Sequence, residues 1–424
     1  MRKMKDSGLE WIGKIPENWN VLPVKWIIKD IKDGTHGTFN RVSEGEFLLS
    51  AKNVFEDGIH ISDNESCISE NDYKSIVANG FPRKDDVLMC IVGTIGRCCL
   101  YREEKTLAFQ RSVAFLRANY KIIPHFLVYA LRSPSVEEEQ LSKQNGTAQM
   151  GLYLGDVSSL RIVVPPLSEQ KKIADFLDEK CGEIDSIRSD VQREIEILND
   201  YKKSVITEAV TKGLNPKTKL KDSGIEWIGK IPEGWDVKPN KRIMKKIKQI
   251  KSKYEGEPIL SLTMNGVVVR DLDNLVGKRP ASFDGYQIIK PGNLLMCLFD
   301  IDVTPRCIGL IKNKGLTSPA YSHFALENIA YAPYYYYYYL FLDMTKELLH
   351  LAKNLRHSLT EDDLGAIKTV IPPLSEQKAI ADYLDEKCSE IDATIADKQR
   401  QLETLDEYKK SLIFEYVTGK KEVS

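Results

Sequence analysis

The sequence predicts an α+β protein: two homologous mixed α/β domains separated by two long antiparallel coiled-coil helices, related by a pseudo-two-fold axis. Three observations predict it. The chain is internally duplicated, each copy ends in a long heptad-patterned stretch, and each copy's middle holds short apolar segments broken by Gly, Pro and Asp.

The duplication is direct. Residues 5–21, KDSGLEWIGKIPENWNV, recur at 221–237 as KDSGIEWIGKIPEGWDV, differing only at Leu9/Ile225, Asn18/Gly234 and Asn20/Asp236. Residues 165–185, PPLSEQKKIADFLDEKCGEID, recur at 372–392 as PPLSEQKAIADYLDEKCSEID, and this match runs ungapped at an offset of 207 to Val210-Thr211 and Val417-Thr418. Weaker echoes link the middles: Asp86–Cys90 with Asn293–Cys297, Arg97-Cys98 with Arg306-Cys307, Ser112 with Ser322, and Pro124 with Pro333. Near-identical flanks with rewritten middles mean one job done twice beside a second job done on two different targets.

After each Pro-Pro dipeptide a helix begins. Ser168 is expected as the N-cap, and Glu169 suits the positive helix terminus. Apolar residues then fall at seven-residue steps: Leu177, Ile184, Val191, Leu198 and Val205, with Ile173, Ile187 and Tyr201 as companions. The second copy supplies Leu384, Ile391, Leu405 and Leu412, with Tyr408 as companion and Lys398 breaking the row. Heptads predict a coiled coil. Gly213 and Pro216 end the first helix, and an isolated Gly182 softens its start. A helix of about 40 residues is roughly 60 Å long; one cannot hide its stripe alone, and the chain supplies two.

The middles, about 22–164 and 238–371, carry strands at Val87–Val92, Val113–Leu116, Leu294–Phe299 and Ile308–Ile311, with a helix after Pro124 or Pro333. The six tyrosines at 334–339 are read as a half-buried helix packed on its sheet rather than as a base-stacking platform. The expected boundaries are 1–164 and 216–371 for the two domains, and 165–215 and 372–424 for the helices.

The 424 residues suit two or three domains, no apolar run approaches the roughly 18–20 residues of a membrane span, and no secretory signal is visible. Eight cysteines without a CxxC pair or ligand-spaced histidines argue against zinc and disulfides and fit a cytoplasmic chain. The net charge of −1 hides a local extreme: Lys238–Lys253 holds eight basic residues in sixteen and no acidic one. That run is either a solvated face or a phosphate contact.

The repeated KDSGxEWIGKIPExW and PPLSEQ blocks, the heptad helices, GTIGR (93–97) and GLTSPAYS (315–322) together resemble the specificity subunits of type I restriction–modification systems. The resemblance covers essentially the whole chain. It implies two target-recognition domains, each reading half of a bipartite site on double-stranded DNA. It also implies helices that set the separation, two methyltransferase subunits docked around them, and motor-nuclease subunits joining for cleavage. S-adenosylmethionine, ATP and magnesium would be bound by those partners, and this chain would hold no catalytic or metal site of its own.

The residues agree. No Gly-rich cofactor turn with an NPPY-type tetrapeptide and no GxxxxGK[ST] loop is present. Asp85/Asp86 with Glu103 and Lys105 loosely mimic a D…ExK nuclease site without an equivalent in the second half, and Asp300/Asp302 read as a loop cap. A metal-dependent nuclease and a coiled-coil adaptor without DNA contact stand as rival readings. Base reading calls for polar side chains on loops and basic ones on phosphates. Candidates in the first half are Thr35, His36, Thr38, Arg97, Gln110, Arg111, Lys143, Gln144, Asn145 and Gln149. The second half offers Lys241, Arg242, Lys245, Lys246, Arg306, Tyr321, Ser322, His323, Lys353, Asn354, Arg356 and His357. Arg97 and Arg306, being matched, suit a shared phosphate contact or a shared fold role; unmatched Gln110 and His323 suit base choice.

Overall fold

The computed structural model describes residues 2–144, 150–273, 280–352 and 357–423. The chain divides into two compact units, residues 1–192 with 400–424 and residues 193–399. Each long helix, Leu167–Lys212 and Leu374–Val417, is therefore divided between the units, with its N-terminal part the longer share.

Both units are built on the same four-stranded antiparallel sheet. In the first unit the order is Ile28–Asp33, Val113–Ala118, Val87–Cys90, Cys98–Leu100. In the second it is Met244–Ile247, Ser322–Leu326, Leu294–Met296, Ile308–Leu310. A further strand pair closes each unit, Asn20–Pro23 with Arg161–Val164 and Asp236–Pro239 with Lys368–Ile371. Outside this shared frame the units differ. The first adds a three-stranded sheet, Cys67–Ile68, Glu46–Leu49 and Ala108–Phe109, with the helix Glu70–Val77. The second adds two strand pairs, Leu260–Thr263 with Gly266–Val269 and Gln287–Ile289 with Gly315–Thr317.

The repeated blocks act as clamps. The carboxamide of Gln170, fully buried, donates to the carbonyls of Lys121 (2.9 Å) and Pro165 (2.8 Å) and accepts from Ile123 N (2.8 Å). Gln377 does the same with Ile329 (2.9 Å), Pro372 (2.8 Å) and Tyr331 N (2.7 Å). One residue earlier, Glu169 accepts from the indole of buried Trp19 (3.1 Å) and Glu376 from that of Trp235 (2.9 Å). Tyr129 donates to Asp178 and Tyr337 to Asp385, both at 2.7 Å, tying each domain's helix to a long one.

Within each unit the halves of the long helices run antiparallel. In the first, Lys409 pairs with Asp185 (2.9 Å) and Arg188 with Asp406 (2.6 Å). In the second, Lys398 pairs with Glu194 and Lys202 with Asp392 (2.6 Å). One partner's number falls as the other's rises. Leu177, Ile184, Val191, Leu384, Ile391 and Leu412 are buried, and Leu198, Val205 and Leu405 half-buried.

Several expectations need correction. Ile187, Tyr201 and Tyr408 are exposed rather than seam companions. The second row of the first helix lies four residues on from the first, at Cys181, Arg188, Ile195 and Lys202, and two of its members are half-buried cations paired with Asp406 and Asp392 of the other long helix. An apolar pattern search passes over such a row. The first helix begins at Leu167, not after Ser168, because the Pro166 carbonyl accepts from both Glu169 N and Gln170 N. Gly182 lies within unbroken helix, and Gly213, at φ +74, ends it. Finally, the helix Ala332–Met344 is buried nearly all round: Tyr334, Tyr335, Tyr337, Tyr338 and Tyr339 lie at 5% exposure or less. Four of these hydroxyls reach polar partners: Tyr334 donates to Val210 O (2.9 Å), Tyr335 to Val370 O (3.1 Å), Tyr337 to Asp385 (2.7 Å) and Tyr339 to Asn240 (2.7 Å).

Replacing Gln170 or Gln377 by Ala leaves one buried carbonyl, one part-buried carbonyl and one part-buried N–H without their partner. Each variant is expected to lose about 2–4 kcal/mol in urea unfolding, by similar amounts because the partner sets match. A loss well below 1 kcal/mol in either would remove the clamp from the account.

Candidate nucleic-acid interface

In the first unit the structure brings one predicted set together. Thr35 bridges Gln110, and Arg111 N donates to Thr35 O (3.0 Å), so the loop after strand Ile28–Asp33 lies against the turn that carries Gln110 and Arg111. Gly34 permits this approach: a Cβ there would sit 2.3 Å from the carbonyl oxygens of Phe109 and Gln110. His36, Thr38 and Arg111 are exposed, Thr35 and Gln110 half-buried, and His36 Nε2 lies 2.7 Å from Asp33. This is a polar surface with donors and acceptors of the kind that base edges require.

The other first-half candidates lie apart from that set or are otherwise engaged. Arg97 donates to Val54 O (3.1 Å) and its guanidinium lies 5.0 Å from the Phe55 ring centre, a fold role. Lys143 and Gln144 follow the helix Pro134–Ser142 and are half-buried; Asn145 and Gln149 lie outside the described residues.

In the second unit, Lys241, Arg242 and Lys245 are exposed, whereas Lys246 is half-buried and paired with Glu361. Arg306 donates to the Tyr336 hydroxyl (3.3 Å), again a fold role. Tyr321 is half-buried and stacked on Phe299 at 6.4 Å. His357 is exposed at φ +44; Lys353, Asn354 and Arg356 lie outside the described residues.

Ser322 and His323 are corrected. Both are buried, in a strand flanked on either side by neighbours in the sheet, so neither side chain reaches a groove edge. His323 Nε2 sits 2.8 Å from the Asn293 carboxamide nitrogen. Burial, with Lys290 adding like-charge repulsion, pushes its pKa down to about 4.

Asp86 is held by Arg117 through Nε (2.8 Å) and Nη2 (2.7 Å), and Lys105 by Glu46 (2.7 Å), which separates the members of the D…ExK resemblance. Among the described residues no group of three or more His, Cys, Asp or Glu is arranged to hold a metal ion. All eight cysteines are buried free thiols, and burial pushes Cys98, Cys181 and Cys388 up to about 11. Among the described residues no helix is long and apolar enough to cross a membrane.

Lys25, Lys29 and Lys32 are not among the predicted contacts, because Asp30 and Asp33 dilute the local charge. The signal for them is positional: they align with Lys241, Lys245 and Lys248 at the 216-residue offset that relates the flanks.

Two sheet-based units with a shared frame, different outer elements and polar or basic exposed loops define a bipartite recognition protein. The family model of the type I restriction modification DNA specificity domain matches residues 52–196 and 311–404, just over half the chain. The chain belongs to that family. It is 26% identical to the MjaX type I restriction enzyme specificity subunit of Methanocaldococcus jannaschii over 96% of this chain and 95% of that one. To the MjaVIII specificity subunit of the same organism it is 25% identical, over 96% and 94%. A solved chain from work on complex assembly and conformational transition of the type I R-M system shares the fold, with TM-score 0.69 at 15% identity over 96% of this chain and 99% of that one.

The depressed His323 pKa has a consequence for stability. An unfolded histidine takes up a proton near pH 6.5, whereas folded His323 stays neutral to about pH 4. Unfolding therefore binds a proton between these values, and stability falls as pH drops through that window. His323→Asn, which cannot titrate, is expected to flatten the fall of Tm across it; an unchanged slope would show that His323 is protonated in the folded protein.

Proposed function

We propose that this chain is the DNA specificity subunit of a type I restriction–modification system, working in the cytoplasm without catalysis of its own. Each unit reads one half of an asymmetric bipartite site on double-stranded DNA. The long helices set the spacer and dock two methyltransferase subunits, and motor-nuclease subunits join for cleavage. S-adenosylmethionine, ATP and magnesium belong to those partners.

The observation that carries this reading is the contrast between repetition and divergence. The Gln, Glu–Trp and Tyr–Asp contacts recur with distances within about 0.2 Å, while the elements outside the shared sheets differ in kind. Two equal frames presenting different surfaces suit two different half-sites, whereas two equal surfaces would suit a palindrome.

Methylome sequencing of cells carrying this subunit with its methyltransferase tests the proposal by giving the bipartite motif. Exchanging residues 22–164 for the matching region of another such subunit is expected to change one half-site only; a change in both would refute the assignment of one unit to one half. Four residues inserted near Asn199 add about 6 Å of helix rise. With base pairs about 3.4 Å apart, the spacer is expected to lengthen by roughly one or two base pairs, less whatever local unwinding absorbs. An active insertion variant with an unchanged spacer would show that the helices are not the ruler.

A further inference from the structure

Beyond Val21 and Val237 the copies diverge, and exposed positions diverge most freely because little packs against them. At the 216-residue offset, residues 20–33 (NVLPVKWIIKDIKD) and 236–249 (DVKPNKRIMKKIKQ) agree at seven positions. Four are Val21/Val237, Pro23/Pro239, Ile27/Ile243 and Ile31/Ile247, all buried or half-buried, so packing accounts for them. The other three are lysines: Lys25/Lys241, Lys29/Lys245 and Lys32/Lys248. Packing does not account for these. Lys25, Lys29, Lys241, Lys245 and Lys248 are exposed, and none has a hydrogen-bond or ion-pair partner among the described residues. Lys32 is half-buried, its ammonium 5.2 Å from the Phe81 ring centre.

The setting is similar in each unit: a short 3-10 turn, Val24–Trp26 or Asn240–Arg242, leads into the outer strand of the four-stranded sheet, bulged at Lys29 in the first unit and regular and shorter in the second, where Lys248 follows the strand. In the first unit that strand runs straight into the Gly34–Thr38 loop, which sits against Gln110. In the second it runs into the remainder of the basic stretch ending at Lys253.

We propose that the lysine triplet is a phosphate rail, repeated once per unit, that grips the backbone of duplex DNA and thereby presents the adjoining loop to the groove. The proposal rests on the DNA-reading function above. Phosphate contacts position a protein on the duplex and carry no sequence information, whereas base contacts specify. A positioning device is therefore the part of a DNA-reading surface that two units with different targets keep in common, and a reading device is the part they do not. The rails differ in strength. Asp30 stands where the second unit has Lys246, so the first unit's rail carries less net positive charge. The competing explanation is that outer-strand lysines only keep the sheet edge from pairing with another chain.

The test uses the full chain assembled with its methyltransferase subunits and two duplexes, one carrying the methylated motif and one scrambled. Triple variants K25Q/K29Q/K32Q and K241Q/K245Q/K248Q are each expected to weaken binding to both duplexes by the same factor. The slope of log affinity against log salt should fall by about two to three in magnitude, with the ratio between duplexes kept. Triple arginine variants should retain the slope. Should a glutamine triple fail to fold, K29Q and K245Q singly should each lower the slope by about one. A slope unchanged from a DNA-binding wild type overturns the rail, and self-association of the variants would then assign the lysines to edge protection. A wild-type assembly that binds neither duplex overturns the DNA-reading proposal itself, so the two failures are distinguishable.

Discussion

Each unit depends on one buried carboxamide, Gln170 in the first and Gln377 in the second. A buried amide has to satisfy its donors and acceptor inside the protein, since leaving any one unpaired costs about 1–3 kcal/mol. The partners of Gln170 come from the Pro165 carbonyl ahead of the long helix and from Lys121 and Ile123 ahead of the domain helix. Satisfying them fixes how the long helix leaves its sheet. Trp19 with Glu169, and Trp235 with Glu376, pin the same helix start to the preceding flank. This is why the PPLSEQ and IPExW blocks recur almost unchanged while the residues between them do not.

Beyond the shared Gln, Glu–Trp and Tyr–Asp contacts, each unit adds ties of its own between domain and helices. In the first, Lys409 is bound by both Asp185 and Glu56 at 2.9 Å, and Arg132 lies beside Glu56. Burial alone would raise the pKa of Glu56 and lower that of Lys409; Arg132 and Lys409 reverse the first effect, and Glu56 and Asp185 the second, so both groups are held charged. In the second unit the tyrosine helix, counterpart of Pro124–Arg132, adds to the shared Tyr–Asp contact a bond from Tyr334 to Val210 on a long helix, while Tyr335 and Tyr339 bind Val370 and Asn240 within the domain. Attachment by charge keeps ionised groups paired at the domain face, whereas attachment by tyrosine needs area to bury and polar partners for most of the hydroxyls. The same frame thus accepts unlike domains.

Repetition separates roles in the candidate interface as well. Arg97 and Arg306 recur and serve the fold, one on Val54 and Phe55, the other on Tyr336. Of the recurring lysines at the 3-10 turn and outer strand, all but Lys32, which lies over the Phe81 ring, are without a side-chain partner among the described residues, which is the basis for proposing that they meet the DNA backbone. The Thr35–Thr38 loop with Gln110 and Arg111 has no counterpart in the second unit's sequence and occupies the place proposed for base reading.

The sequence by itself determined the duplication, the α+β class, the two long helices, their antiparallel pairing and the paired first row at Leu177–Val205 and Leu384–Leu412. These are local or periodic properties: identical blocks at constant offsets, heptads too long for one helix to bury, and turn residues at the strand ends. Only the tertiary structure decided which candidate side chains face outward. Ser322 and His323 look like loop residues in sequence, and they are buried because their strand is interior to a four-stranded sheet, a fact set by strand order and not by neighbours in the chain. The second helical row escaped because Arg188 and Lys202 lie half-buried in it, with their charges satisfied by Asp406 and Asp392 more than 180 residues away. Gly34 and Gln110 meet for the same reason: a loop contact needs no periodicity, only the space that a missing Cβ leaves.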